Sequence, residues 1–320
     1  MSIVERALRR LQSSGQPPRP AGAVLRERKP PRVPAVVAPD AGDAPVSLAP
    51  VAPVAPVAPV APVAPVTLVP RQSVNVSIES LRSAGVLPLP EHAEILADQF
   101  RRIKWPVLES VTGKRDAEGH PSNIVMVTSS VSGEGKTFTS LNLALSIAWE
   151  KDCSVLLVDA DVAKRHATRA FGVDGRAGLT ELLGEEGLKP EELVLDTAIP
   201  GLTFLPAGKR QELAPELFAS QRMVDVIRTL RGTDPRRIVL FDTSPLLATN
   251  ESQVLAKLVD QVVLVVRAES TTQPMVLEAV SLLDRSKEIR CILNQAPASE
   301  LAEYYYGYGK SNPYEPKQEG

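Results

Sequence analysis

Short apolar runs alternate with stretches of helical periodicity from Ile124 onward. The runs are Ile124 to Thr128, Val155 to Val158, Leu202 to Leu205, Ile238 to Phe241, Val262 to Val266, and Cys291 to Leu293. The runs are apolar at nearly every position, so each predicts a strand that is buried on both faces, as strands of parallel sheets are. The pattern therefore predicts an α/β fold, with a mostly parallel sheet and helices on both of its faces.

A helix is predicted before the first of these strands. Between Glu91 and Lys104 one side of a helical projection is mostly apolar, and charged residues lie opposite. The residues on this side are Ile95, Leu96, Gln99, Phe100 and Ile103. Trp105 and Pro106 interrupt the pattern, so we expect the helix to end there, because proline lacks the N–H group that an interior helical residue donates.

The N-terminal part of the chain has a different composition. Residues 1–14 place apolar side chains on one helical face and arginines on the other, which predicts a short amphipathic helix. From Ala49 to Val66 the tripeptide Ala-Pro-Val repeats, and proline at every third position excludes helix and sheet. We expect residues 15–72 to be a disordered, proline-rich linker, 73–115 a helical lead-in, 116–298 the folded domain and 299–320 a flexible tail.

Charge and cysteine content narrow the classes of protein. The chain has 36 Lys and Arg residues and 38 Asp and Glu residues, and this balance gives no reason to expect nucleic acid as a partner. Cys153 and Cys291 lie outside any C-x-x-C spacing, which argues against a zinc site or a disulfide framework. Neither a run of eighteen apolar residues nor a cleavable signal is present, so we expect a cytoplasmic location.

The sequence after the first predicted strand has the pattern of a phosphate-binding loop. Gly133 and Gly135 would let backbone N–H groups converge on phosphate oxygens at the start of a helix. Lys136 supplies a positive charge, and the Thr137 hydroxyl is suited to Mg²⁺. Ser130 replaces the first glycine of G-x-x-x-x-G-K-[ST], and an ordinary glycine-rich turn is the alternative. The predicted ATP-binding residues of the loop are Gly133, Glu134, Gly135, Lys136, Thr137 and Phe138.

Two further predicted strands end in acidic residues. Asp159 and Asp161 follow one buried strand, and Asp242 follows another. Ligands of open parallel sheets bind beyond the carboxyl ends of the strands, so we expect all three carboxylates to face the phosphates. Mg²⁺ prefers oxygen ligands, and the predicted magnesium residues are Thr137, Asp159 and Asp242. For the acid pair, the alternative is the N-cap of the next helix.

Asn294 closes the last predicted strand. A single Asn after a strand is more often a turn residue, and a hydrogen bond to the adenine edge of a nucleotide is the alternative. Its position in the predicted fold favours the contact with adenine.

The loop, the acid pair and the later acid, in this order and spacing, resemble the bacterial tyrosine kinases, P-loop autokinases that control exopolysaccharide synthesis. Further similar segments are Gly178 to Leu183, Leu205 to Gly208 and Pro215 to Ser220. Met1 to Leu8 and Arg101 to Pro106 resemble the subgroup associated with exosortase loci. The resemblance implies a P-loop NTPase fold, tyrosine kinase activity, and ATP and Mg²⁺ as cofactors. The implied catalytic residues are Lys136, Asp159, Asp161 and Asp242.

All tyrosines of the chain lie near its C terminus, among glycines. They are Tyr304, Tyr305, Tyr306, Tyr308 and Tyr314. A flexible backbone would let such a phenol enter another active site, so we expect these tyrosines to accept the γ-phosphoryl group in a neighbouring subunit. By resemblance and geometry, Asp161 or Asp159 accepts the phenol proton. An aromatic patch that docks on the core is the alternative.

The resemblance also implies assembly and partners. The family's oligomerisation motif, Glu-x-x-Arg-x-x-Arg, is similar to the set Asp98, Arg101 and Lys104, which implies a homo-oligomeric ring, with a lysine that pairs less directionally than arginine. The family usually has arginine two residues after the second acid, and here that role falls to Lys164, Arg165 or no residue. The resemblance further implies a membrane chain-length (co-polymerase) protein as activator and a tyrosine phosphatase as partner. It also implies recruitment to the inner face of the cell membrane.

Two other functions fit part of the pattern. A partitioning or septum-positioning ATPase of the same fold would be a nucleotide-switched dimer. Such ATPases resemble one another in a second loop lysine, where this chain has Val131, and they lack a tyrosine tail. A nucleotide-binding scaffold of the polysaccharide machinery would bind ATP without stable phosphoryl transfer.

Overall fold

The computed structural model describes residues 72–297, except 114, 116–118, 212 and 235. The predicted N-terminal helix, the Ala-Pro-Val repeats and the tyrosine tail lie outside the described residues, so the structure does not test those predictions. Over the described ranges, no helix combines the length and the apolar character needed to cross a bilayer.

The described chain alternates strands and helices. The strands are β1 (Ser73–Val74), β2 (Ile124–Ser129), β3 (Ser154–Asp159), β4 (Leu195–Thr197), β5 (Leu202–Leu205), β6 (Arg237–Asp242), β7 (Gln261–Arg267) and β8 (Glu288–Asn294). The helices are α1 (Ile78–Ser83), α2 (Pro90–Gly113), α3 (Lys136–Ala148), α4 (His166–Ala170), α5 (Leu179–Gly184), α6 (Pro190–Leu193), α7 (Ala214–Phe218), α8 (Gln221–Arg231), α9 (Asn250–Leu258) and α10 (Gln273–Ser281). All six predicted strands are therefore present.

The strands form one sheet in the order β1-β4-β5-β3-β6-β2-β7-β8. Every neighbouring pair is parallel except β4 and β5, which are antiparallel. The central strands β2, β3 and β6 place their carboxyl ends side by side, and Asp159 pairs in register with Asp242. The predicted fold class, a mostly parallel α/β sheet, is confirmed.

The sheet separates two hydrophobic cores, which explains why its strands are apolar at consecutive positions. In β2, Ile124 and Met126 pack in one core, whereas Val125 and Val127 pack in the other. Side chains alternate between the faces of a strand, so a strand covered by helices on both sides needs apolar residues throughout. Helix α3 is also buried along most of its length.

Helix α2 is longer than the sequence predicts. The predicted end at Trp105 and Pro106 is wrong, because the helix continues through Pro106 to Gly113. Val107 and Val111 are almost completely buried on the far side of the proline. Burial of this second apolar stretch against the sheet outweighs the hydrogen bond that proline removes.

The two short strands at one side of the sheet, β1 and β4, have no signal in the sequence. β1 and β4 contain two and three residues, too few for a periodic pattern. Their pairing fastens the start of the described chain to the sheet edge, where the Asp196 N–H donates to the Gln72 carbonyl at 2.9 Å. Residues just after the predicted linker are thus part of the sheet.

Candidate nucleotide-binding and phosphotransfer site

The loop between β2 and α3 has the backbone geometry of a phosphate-binding loop. Gly133 and Gly135 have φ of 88° and 93°, in the left-handed region that favours glycine. A Cβ on Gly135 would lie 2.1 Å from Nδ2 of Asn294, so residue 135 has no room for a side chain. No side chain caps the N terminus of α3. Its first N–H groups are therefore available to an anion.

The side chain of Glu134 holds this loop in place. Its buried carboxylate accepts hydrogen bonds from the Val131 N–H at 2.7 Å and the Arg267 N–H at 3.3 Å. The Thr271 hydroxyl donates to the same carboxylate. The carboxylate is therefore engaged with the start of the loop and with the end of β7. Any contact of Glu134 with a phosphate would come from its backbone.

A cavity of about 490 Å³ opens at the end of the loop, and Lys136, Thr137, Asp161 and Lys164 are among its lining residues. Burial lowers the pKa of Lys136, and the carboxylates of Asp242 and Asp161 oppose this shift. A buried ammonium group at the start of a helix, with nearby carboxylates, is suited to bind a polyphosphate.

Asp159 and Asp242 are completely buried and are not among the residues that line this cavity. Ser140 donates to Oδ1 of Asp242 at 2.9 Å, and Oδ2 of Asp242 is buried without a partner among the described residues. Thr168 donates to Oδ2 of Asp159 through both its N–H and its hydroxyl, each at 2.7 Å. Burial raises the pKa of Asp159 to about 8, and that of Asp242 to about 6. Hydrogen bonds from Thr168 and Ser140 and the charge of Lys136 thus offset only part of the effect of burial on the two pKa values.

These residues fit a magnesium ion. No group of three or more His, Cys, Asp or Glu side chains is arranged to bind a metal in the described part of the chain. Mg²⁺, however, is usually held by one or two carboxylates together with water and substrate phosphates. The orphaned oxygen of Asp242 and the hydroxyl of Thr137 are of the required chemistry, whereas both oxygens of Asp159 already accept hydrogen bonds.

Of the three acids, Asp161 is the one that lines the cavity. Its Oδ1 accepts hydrogen bonds from the Ser244 hydroxyl at 2.8 Å and the Lys164 N–H at 3.1 Å. Both of these hydrogen bonds go to the same oxygen of the carboxylate. Sequence reasoning missed Ser244 because nothing in its local pattern distinguishes it from other residues after a strand.

Lys164, rather than Arg165, enters the cavity. The ammonium group of Lys164 contacts the Ser132 hydroxyl of the phosphate loop. The guanidinium group of Arg165 instead pairs with Asp174 at 3.2 Å. His166 and Arg169 also line the cavity, and neither was predicted. Of the two basic residues proposed in place of the family arginine, Lys164 has the appropriate location.

A second cavity, of about 1020 Å³, continues from the first toward the end of β8. Gly85, Gly135 and Phe138 line both cavities. Asn294, the predicted adenine contact, lies at this side, but its Nδ2 donates to the Glu134 carbonyl at 2.9 Å. Asn294 therefore supports the phosphate loop, and its carbonyl oxygen and the second hydrogen of Nδ2 are the groups left for a base.

The predicted oligomerisation residues have different environments. Asp98 and Arg101 form an ion pair on the exposed side of α2. Lys104 is buried within its own chain, where its ammonium donates to the Ser146 carbonyl at 3.0 Å and pairs with Glu150. Only Asp98 and Arg101 thus present their charges at the surface.

These features define the class of protein. The sheet is mostly parallel, and a phosphate loop, a buried lysine and acidic residues lie at its strand ends. This combination is typical of a P-loop nucleotide-binding protein. In agreement, residues 122–294 match the AAA domain family.

Comparison with known proteins gives the particular family. Tyrosine-protein kinase YwqD of Bacillus subtilis is 30% identical over 226 residues, which cover 70% of this chain and 91% of YwqD. EpsB of Ralstonia nicotianae is 34% identical over 211 residues, which cover 64% of this chain and 27% of EpsB. This chain therefore spans about a quarter of EpsB.

A solved structure supports the same assignment. The VpsO kinase domain is 31% identical, with a TM-score of 0.53, over 65% of this chain and all of that domain. The chain belongs to the bacterial tyrosine-protein kinase family, as the sequence predicted. The kinase relatives favour this family over the partitioning ATPases.

Proposed function

We propose that this chain is an ATP-dependent protein-tyrosine kinase that phosphorylates the C-terminal tyrosines of a neighbouring copy. The observation that carries the proposal is that Lys136, Thr137 and Asp161 line one cavity at the phosphate loop. A phosphate-binding ammonium and a carboxylate thus face the same space. Phosphoryl transfer depends mainly on such positioning and on neutralisation of charge.

Asp161 is the better candidate for the proton acceptor. Asp159 is completely buried, and its two oxygens accept hydrogen bonds from Thr168 and from the Asp161 N–H. Asp161 lines the cavity, and the hydrogen bonds that it accepts from Ser244 and from the Lys164 N–H both go to Oδ1. Asp159 therefore acts as a positioning residue that orients the backbone of Asp161.

A tyrosine that enters the cavity would take the γ-phosphoryl group directly from ATP. The phenol oxygen attacks the γ-phosphorus of ATP, and the bond to the β–γ bridging oxygen breaks to release ADP. The phenol proton passes to Oδ2 of Asp161 and then to solvent. Lys136 and the N terminus of α3 hold the phosphates. Mg²⁺ at Thr137 and Asp242 would supply further charge neutralisation.

The acceptors we propose are the tail tyrosines, Tyr304, Tyr305, Tyr306, Tyr308 and Tyr314. Support for this comes from the sequence, because the chain has no tyrosine elsewhere. In the same proposal, the family resemblance assigns the kinase to control of exopolysaccharide synthesis or export. A membrane chain-length protein would activate it at the inner face of the membrane, and a phosphatase would reverse the reaction.

A mixing experiment tests transfer between copies. A Lys136→Met chain with an intact tail is incubated with ATP, Mg²⁺ and an active chain whose five tail tyrosines are changed to phenylalanine. We expect mass spectrometry to find phosphotyrosine on the Lys136→Met chain only in the mixture, because the loss of Lys136 removes its own transfer activity. A Lys136→Met chain that also carries the five phenylalanines is the control.

Two results would contradict the proposal. Phosphotyrosine on the wild-type chain, with none on the Lys136→Met chain in the mixture, would show transfer within one copy. ATP binding without phosphotyrosine in any sample, including one with the activating membrane partner, would favour the scaffold function.

A further inference from the structure

One wall of the phosphate cavity comes from a segment that lies outside the AAA region. Ala84, Gly85 and Val86 line the cavity together with the phosphate loop. They connect α1 to α2, and the AAA match begins only at residue 122. The segment lies within the predicted helical lead-in, 73–115, after β1 and α1. The tertiary fold, rather than the phosphate-loop motif, places this segment at the cavity.

This wall is held firmly against α3. Nδ2 of Asn142 donates to the Val86 carbonyl at 3.0 Å and to the Phe138 carbonyl at 2.7 Å. The Val86 N–H donates to the Leu81 carbonyl at 3.2 Å, and the Leu81 side chain is completely buried. Asn142 therefore ties the wall to the same helix that begins at the phosphate loop.

The wall lies where the two cavities meet. Gly85 lines both, together with Gly135 and Phe138. A nucleotide whose phosphates bind at Lys136 and whose base lies toward Asn294 has to cross this junction with its ribose and α-phosphate. A Cβ on Gly85 would meet no atom within 4 Å, so the backbone borders open space there.

We propose that the segment Ala84–Val86 is a nucleotide-binding wall that packs over the ribose and α-phosphate, and that Asn142 is the residue that positions it. The inference rests on the proposed nucleotide site. It deepens that site by adding a part of it that the phosphate-loop motif does not contain. Because the wall closes over the nucleotide and not over the acceptor, it controls nucleotide affinity.

Paired tryptophan variants of the full chain test the wall. Ala84 and Ser83 are both exposed neighbours, but only Ala84 lines the cavity. Binding of a fluorescent ADP derivative in the presence of Mg²⁺ is measured for Ala84→Trp and Ser83→Trp. We expect Ala84→Trp to raise the Kd about tenfold and Ser83→Trp to leave it within about twofold. Equal Kd values for the two variants would overturn the proposal.

Hydrogen exchange of the unmodified chain gives a test that needs no variant. Mg·ADP is expected to slow exchange of the amides of residues 84–86, and unchanged exchange there, at saturating ADP, would refute the wall.

In Asn142→Leu, the lost hydrogen bond should raise the Kd for ADP about threefold to tenfold. Both measurements use ADP binding alone, so they remain informative if the chain transfers no phosphate.

Discussion

At the scale of single residues, Gly135 is the position in the phosphate loop with the least freedom to vary. Its backbone is left-handed, and Asn294 occupies the space where a Cβ would be. Gly133 has the same backbone conformation, but a Cβ there would meet no atom within 4 Å. The two glycines therefore differ only in the space that is available for a Cβ.

Gly135→Ala should accordingly cost more than Gly133→Ala. The left-handed conformation costs each alanine about 1–2 kcal/mol. Gly135→Ala also displaces the Asn294 amide and its bond to Glu134, which adds about 1 kcal/mol. Urea unfolding measures both variants, and Asn294→Ala in the Gly135→Ala background should cause little further loss. Equal destabilisation by the two glycine variants would show that Asn294 does not constrain the loop.

At the scale of elements, α2 shows how burial overrides a local signal. Pro106 interrupts the pattern of hydrogen bonds because it has no N–H, and Trp105 beside it is exposed. Val107, Leu108 and Val111 then continue the helix because they are buried against the sheet. The helix is held by its tertiary contacts on both sides of the proline.

Pro106→Ala is therefore expected to stabilise the protein. Alanine restores an N–H donor inside the helix and should raise the free energy of unfolding by about 1–3 kcal/mol. Pro90→Ala is the matched control, because Pro90 lies in the first turn, where no intrahelical donor is needed. Urea unfolding compares the two, and a less stable Pro106→Ala protein would mean that the proline ring itself is required for packing.

At the scale of the whole molecule, the three predicted oligomerisation residues separate into two roles. Lys104 bonds to Ser146 and Glu150 of its own chain, whereas Asp98 and Arg101 are more than half exposed. If copies assemble through charge pairs on α2, Asp98 and Arg101 are the available groups. Lys104 instead contributes to the packing of α2 on α3.

Variants of the two basic residues should thus affect different properties, stability for Lys104 and assembly for Arg101. Lys104→Met keeps the apolar stem but loses the bonds to Ser146 and Glu150, and should lower the free energy of unfolding by about 1–2 kcal/mol. Arg101→Glu should leave unfolding unchanged and reduce assembly. Sedimentation velocity and urea unfolding measure both properties. Loss of assembly in Lys104→Met without loss of stability would contradict this division.

The sequence by itself determined the features that depend on neighbouring residues. Consecutive apolar positions specified the central strands, and the order of glycines, lysine and threonine specified the phosphate loop. Asp159, Asp161 and Asp242 were placed at strand ends by the same reasoning, since parallel strands bring their carboxyl ends to one edge. The same motifs were sufficient to predict the family.

Only the tertiary structure decided which of these residues face the cavity. Asp161 lines it, whereas Asp159 accepts a hydrogen bond from Thr168 and does not line it, and Lys104 is bonded within its own chain. The wall at Ala84–Val86 and the edge strand β1 likewise depend on partners far away in the sequence. The physical reason is that hydrogen-bond partners and burial are set by packing between distant segments, which no local pattern encodes.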